Sequence, residues 1–207
     1  MEVQASAYHI RWNDIQQAAQ ITGCGFAAVF NLGTASSNGF DFSLRAAATD
    51  NLHLNLQIAY TDAHYDSSEG RIVTAGDVIG GPAISTGTAV PPLTTTLSGE
   101  YTFQLFDKQA YFWAEDAYHS KNNGPFSTHN PANIIVYDPD LVSDPATNIV
   151  NLRTGLRLTH FDVSLFLKNA LNSHPQLSLE HTNPGDPRYQ AVTFRPLTVG
   201  LTASMRF

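Results

Sequence analysis

From Leu52 to Thr61 the chain alternates: Leu52, Leu54, Leu56, Ile58 and Tyr60 are apolar, and His53, Asn55, Gln57 and Thr61 between them are polar. A two-residue period sends successive side chains to opposite faces of an extended strand. The same period runs through Phe40–Ala46, with only Thr49-Asp50-Asn51, a tight-turn composition, before Leu52. It returns in Leu97, Gly99, Tyr101, Phe103 and Leu105, then after Phe106-Asp107-Lys108-Gln109 in the stretch Ala110–Glu115. Val150, Leu152, Thr154, Leu156 and Leu158 carry it again, and past Thr159-His160 so do Phe161, Val163, Leu165 and Leu167. The chain closes on Val199, Leu201, Ala203, Met205 and Phe207 set between Thr198, Gly200, Thr202, Ser204 and Arg206. With a first strand expected around Tyr8–Gln17, the pattern predicts an all-β chain, an antiparallel up-and-down meander of about eight strands.

Any one of these strands would suit a soluble antiparallel sheet, where such alternation is routine. The connections are more telling. Short turns are expected near 50–51, 107–108 and 159–160, and long Gly-, Pro-, Ser-, Asn- and Asp-rich loops over 62–92, 120–148 and 172–192, with an intermediate first connection around Ile21–Gly25. A sandwich has no reason to collect its long loops at one end, whereas a membrane-spanning β-barrel has short turns inside and long loops outside. Strand lengths near ten residues match a tilted crossing.

Composition narrows the choice. At 207 residues the chain makes one domain or two, and a net charge of −7 with 14% charged residues argues against a nucleic-acid partner. Cys24 is the single cysteine, so neither an intramolecular disulfide nor a zinc site of several thiolates is available. No apolar run is long enough for a membrane-spanning helix, which a β-barrel would not need. Met1–Tyr8 has neither the basic nor the apolar region of a secretory signal, so the expectation is either a cytoplasmic protein or a piece of something longer.

Several segments together resemble the late barrel of TonB-dependent outer-membrane receptors: Tyr8–Gln16, Phe30–Asp41, Tyr60–Ala63, Asn151–Leu156, Leu167–Asn172 and Arg195–Leu201. The resemblance covers nearly the whole chain, and implies that residues 1–207 are the C-terminal segment of such a barrel domain. It implies an outer-membrane importer of a nutrient such as an iron chelate (siderophore), a vitamin or a glycan, in a Gram-negative bacterium. Its partners would be the lipid bilayer, the outer-membrane insertion machinery, a small-molecule ligand and, through an N-terminal part not found here, the TonB complex. In the family a plug fills a barrel of about 22 strands. No plug, energy-coupling box or signal peptide is found in this sequence, so the segment is expected to be inactive alone. Phe207, with Met205 and Leu201 on the same strand face, resembles the signal read by the insertion machinery. Asp41 stands where the family leads one to expect Glu. A self-closed eight-stranded structural barrel is the alternative, decided by whether the strand near Ile10 pairs with the strand near Leu201; a soluble β-sandwich ranks last.

Candidate chemistry is sparse. The eight histidines include no close ligand pair, so no metal site is expected, and loop residues His129 and His181 are kept as candidates for touching an iron chelate. Arg153 and Arg157 share the polar face of one strand, where they would either attract an anionic substrate or pair with carboxylates such as Glu115 and Glu100. Some of Tyr60, Tyr101, Tyr111, Trp113 and Tyr118 are expected at interfacial girdles, ordinary sheet packing of aromatics being the alternative. Asp116 falls in phase with Phe112, Ala114 and Tyr118 on the face assigned to lipid, where a carboxylate is costly away from the rim. No nucleophile elbow or phosphate loop is found, so no enzyme and no cofactor are expected.

Overall fold

In the computed structural model, residues 1–20, 26–31, 33–67, 72–79, 90–180 and 187–205 are described. The strands are β1 (Glu2–Trp12), β2 (Gln16–Gln20), β3 (Ala27–Asn31), β4 (Ala35–Thr49), β5 (Leu52–Tyr65), β6 (Leu93–Leu105), β7 (Lys108–His119), β8 (Thr147–Arg157), β9 (Phe161–Lys168), β10 (Ser178–Glu180), β11 (Gln190–Val192) and β12 (Thr198–Met205). Eight of them form one antiparallel sheet in the order β1-β4-β5-β6-β7-β8-β9-β12. The pairs β2-β3 and β10-β11 are separate hairpins within loops. A 3-10 turn, Ser127–His129, lies in the loop after β7.

The turn chemistry sets the narrow end. Thr49 Oγ1 accepts from the backbone N–H groups of Asn51 and Leu52, closing the β4-β5 turn. Phe106 and Asp107 both adopt positive φ, 51° and 57°, the two-residue geometry whose twist matches a hairpin. Leu158 N–H donates to Phe161 O at 2.7 Å in the third turn. All the long connections leave the opposite end. The first strand ends at Trp12 rather than continuing to Gln17, so the connection before β4 is long as well and contains the β2-β3 hairpin.

The sheet is a single layer with two unlike faces. Cross-strand partners share a face, and one row reads Val3, Leu44, Leu56, Leu97, Asp116, Val150. Leu97, Leu165 and Leu201 are 50%, 50% and 70% exposed on this face. The opposite face carries rows such as Glu100, Trp113, Arg153, Phe166, Gly200. A sandwich would bury the apolar face against a second sheet; among the described residues no second layer covers it. Among the described residues β1 does not pair with β12, so the eight strands do not close on themselves and both edges of the sheet are open.

The apolar face has a boundary. On β1, β4 and β5 the row Ala7, Phe40, Tyr60 is followed toward the loops by His9, Asn38, Asp62 and then Arg11, Ser36, His64. Phe40 and Tyr60 stack at 5.8 Å, and one row further His9 Nδ1 contacts Asn38 Oδ1 at 2.8 Å. Beyond this boundary the opposite phase becomes the apolar one. Ala35 and Tyr65 join Ile15, Ile72 and Val73 in a buried cluster at the loop end, with Phe30, Ile79, Ile135 and Val136 packed against it.

Candidate functional site

The polar face has its densest chemistry where β6 to β9 run side by side. Arg157 extends from β8 over the ring of Tyr111 on β7, its guanidinium 4.6 Å from the ring centre, and donates to Glu100 Oε1 on β6 at 2.7 Å. On its other side Arg157 Nε lies 4.0 Å from Asp162 Oδ2, and Tyr111 donates its hydroxyl to Asp162 Oδ1 at 3.3 Å. Glu115 accepts from Asn151 Nδ2 at 3.1 Å instead of meeting an arginine. Arg153 and Lys168 are exposed on the same face, and among the described residues neither has a carboxylate partner. All of these side chains except Asp162 border an open hollow of about 550 Å³.

Aromatic side chains on this face lie across glycines of the neighbouring strand. Tyr111 is opposite Gly155 in register, and a Cβ at Gly155 would meet its ring at 2.8 Å. Phe166 covers Gly200 in the same way. On β1, Tyr8 passes over Gly39 to reach Thr61 Oγ1 at 2.8 Å. Each ring gains a flat apolar seat that any side chain at the glycine would take away.

The girdle candidates divide between the two faces. Tyr60, Tyr101 and Tyr118 do face outward with the apolar residues, but Tyr111 and Trp113 belong to the polar face. Tyr111-Phe112-Trp113 is aromatic in both phases of the strand, so alternation could not assign it. Asp116 lies on the apolar face as expected, three residues before the loop end of β7, and its Oδ1 is buried without a hydrogen-bond partner. Lys168 was not singled out by sequence because Phe166 interrupts the polar phase Asp162, Ser164, Lys168.

The loop end is organised by polar groups. Buried Asp77 accepts through Oδ2 from Thr74 N–H at 2.7 Å and from Asn133 Nδ2 at 3.2 Å. Asn133 also accepts from the Thr74 hydroxyl, and Asn130 Nδ2 donates to that hydroxyl, so the loops after β5 and β7 are joined. Burial and the charge of Asp77 together raise the pKa of the Tyr65 phenol at the end of β5. His129 donates from Nε2 to Leu141 O at 2.6 Å, and its ring packs edge to face with Phe126, centroids 5.5 Å apart. Asn169, with φ of 50°, ties the base of the last loop: its amide donates to Ser173 O and Arg195 O, and its Oδ1 accepts from Ser173 N–H. Of the remaining candidates, Met205 and Leu201 point outward from β12, while His181 and Phe207 lie outside the described residues. Among the described residues no group of His, Cys, Asp and Glu could hold a metal ion, and no helix is long and apolar enough to cross a membrane, which says nothing of a barrel.

A one-layer meander with an uncovered apolar face, a polar face and its long loops at one end is the wall of a β-barrel. The sequence matches the family described as TonB dependent receptor-like, beta-barrel, over residues 1–172, and the chain belongs to that family. Members of this family are transporters, not enzymes. Comparison with curated proteins finds no match. Among solved structures the chain is similar to the ferric yersiniabactin uptake receptor FyuA from Yersinia pestis, with a TM-score of 0.71 at 12% identity over 99% of this chain and 27% of that one. It is also similar to the copper transporter OprC, with a TM-score of 0.64 at 16% identity over 97% of this chain and 28% of that one. A third is the ferric-catecholate import receptor Fiu from E. coli K12, with a TM-score of 0.62 at 17% identity over 99% and 25%. The chain thus spans about a quarter of the length of these structures.

Proposed function

We propose that the chain forms part of the wall of an outer-membrane receptor that imports a nutrient with energy supplied through TonB, a siderophore being the first candidate and a vitamin or glycan the others. The observation that carries the reading is the apolar face that ends on three neighbouring strands at one row, Ala7, Phe40, Tyr60, and gives way to His9, Asn38, Asp62. Lipid is the natural cover for a face of this kind, and the switch in polarity is what the edge of a bilayer demands. In this reading the polar face with Arg153, Arg157 and Glu115 lines the lumen. The loops after β5, β7 and β9 stand outside, with His129 and His181 among the groups a ligand would meet. Met205, Leu201 and Phe207 belong to the terminal strand presented to the insertion machinery.

Eight strands with two open edges do not enclose a pore, since unpaired backbone groups in lipid cost several kcal/mol, of order 2–7 for each uncompensated group. Uptake therefore requires further strands to close the wall, and the segment alone is inactive. The fold of siderophore receptors such as FyuA and Fiu supports iron chelates ahead of other cargo. The test is to express the complete reading frame that contains this chain in a Gram-negative host lacking its own iron receptors. The expected result is heat-modifiable protein in the outer-membrane fraction and uptake of radioactive ferric siderophore that disappears when TonB is deleted. Uptake that persists without TonB, or protein confined to the cytoplasm, refutes it.

A further inference from the structure

We propose that Arg153 and Lys168 form an anion site for a carboxylate group on the polar face; the site is lumenal if the barrel reading above holds, and rests on it. Arg153 stands between Trp113 and Phe166 in its row, and Lys168 follows Phe166 by two residues on β9. The two cations are diagonal neighbours on one face, where long side chains reach one another across about 7–8 Å of backbone. Like charges so placed repel unless an anion lies between them.

Each neighbouring acid has a partner other than Arg153 or Lys168, though Glu115, diagonal to Arg153 across β7 and β8, uses only Oε1 and lies within 4.0 Å of neither cation. Glu100 takes Arg157, Asp162 takes Tyr111 and lies beside Arg157, and Glu115 takes Asn151. Arg153 and Lys168 are left as the two exposed cations of this part of the face, with no carboxylate partner among the described residues. Beside them lies the open hollow of about 550 Å³. Its chemistry is specific. A guanidinium fork pairs with a planar carboxylate through two parallel hydrogen bonds, and the ammonium of Lys168, 5.6 Å from the Phe166 ring centre, adds a mobile second charge. The Trp113 and Phe166 rings suit a carboxylate backed by carbon better than a fully hydrated phosphate. Two sources present that chemistry: a free carboxylate ligand in the lumen, or an acidic side chain of polypeptide that fills it.

The experiment uses the complete protein containing this chain, purified in detergent micelles and titrated with citrate and with inorganic phosphate by calorimetry at low ionic strength. With a free ligand as the source, citrate binds, affinity falls about tenfold in Arg153→Gln and in Lys168→Gln, and Arg153→Lys retains part of it. With an internal acid as the source, citrate does not bind. Arg153→Gln then lowers the melting midpoint by several degrees, Arg153→Lys restores it, and the difference disappears in high salt. Citrate affinity equal in wild type and variants, phosphate preferred over citrate, or neither binding nor a salt-sensitive melting shift overturns the proposal. Heat-modifiable migration is scored on the same samples: its absence is failure of the barrel reading, whereas a heat-modifiable protein with neither response fails the carboxylate site alone.

Discussion

Within β5, Leu54 points away from the sheet 36% exposed, with no protein to cover it, while Tyr65 near the other end of the strand points to the opposite face and is 6% exposed in a packed cluster. The two ends of one strand are stabilised by different surroundings. At the turn end the wall has main-chain ladders, the Tyr111 ring seated on Gly155 and the Arg157 network, but among the described residues nothing over its apolar side. At the loop end Ile15, Ala35, Tyr65, Ile72 and Val73 make an ordinary hydrophobic core, and Asp77 with Asn133 knits two loops beside it. The difference teaches that the loop end covers its own apolar residues, whereas the wall leaves its apolar side uncovered among the described residues, which is what the proposed barrel requires.

The sharpest way to break the comparison is to put a charge on either side of the boundary of β4. Phe42→Lys, on the apolar face, is expected to cost about 2–4 kcal/mol of folding stability in bilayers, whereas Asn38→Lys on the same strand and face costs about 0–1 kcal/mol. Urea titration of the closed protein in lipid vesicles measures both, and equal costs would remove the bilayer from the account.

Asn133→Ala probes the other end. It leaves Asp77 Oδ2 with one donor fewer and removes a link between the loops, for an expected loss of about 1–3 kcal/mol. Faster proteinase K cleavage within 120–146, with unchanged outer-membrane insertion, is the readout; slower insertion would mean that wall and loops are not separable.

On the polar face, Gly155→Val pushes the Tyr111 ring off its seat and is expected to cost about 1–3 kcal/mol, as overpacking does. Pairing it with Tyr111→Ala should recover part of the loss in the same urea titration, and strict additivity would show that the ring is not the cause.

The smallest effect expected is a gain. Asp116→Leu removes the one acid from the row Val3, Leu44, Leu56, Leu97, Val150 and should stabilise the wall by up to about 1 kcal/mol, the modest value following from its place near the loop end. A loss in place of that gain would assign the carboxylate a partner or a role in folding.

Much of the wall was legible because its period of two is local: each strand names its own faces without reference to its neighbours. The first strand was misplaced toward Gln17 because the phase changes within it. Val3, Ala5 and Ala7 lie on the exposed apolar face, but Ile10 and Trp12 are apolar in the other phase, beyond the row where that face ends. The same switch, from Tyr60 outward to Tyr65 inward, made β5 look as though it ended near Thr61 when it runs to Tyr65. A single strand cannot distinguish a phase switch from a loop; three neighbours switching at one row can.

The site was less legible for a related reason. Arg153 and Arg157 were visible as one polar phase, yet nothing in the sequence separates a cation held by Glu100 over Tyr111 from one left without a carboxylate. That distinction depends on which side chains β6, β7 and β9 bring alongside β8, and register is fixed by pairing between strands far apart in sequence. By itself, then, the sequence determined the strand period, the tight turns and the asymmetry of the loops, all of them properties of residues close together in the chain. Only the tertiary structure decided that the edges stay open, that Tyr111 and Trp113 face away from the apolar side, and that Arg153 and Lys168 stand together, because each of these requires knowing which strand lies next to which.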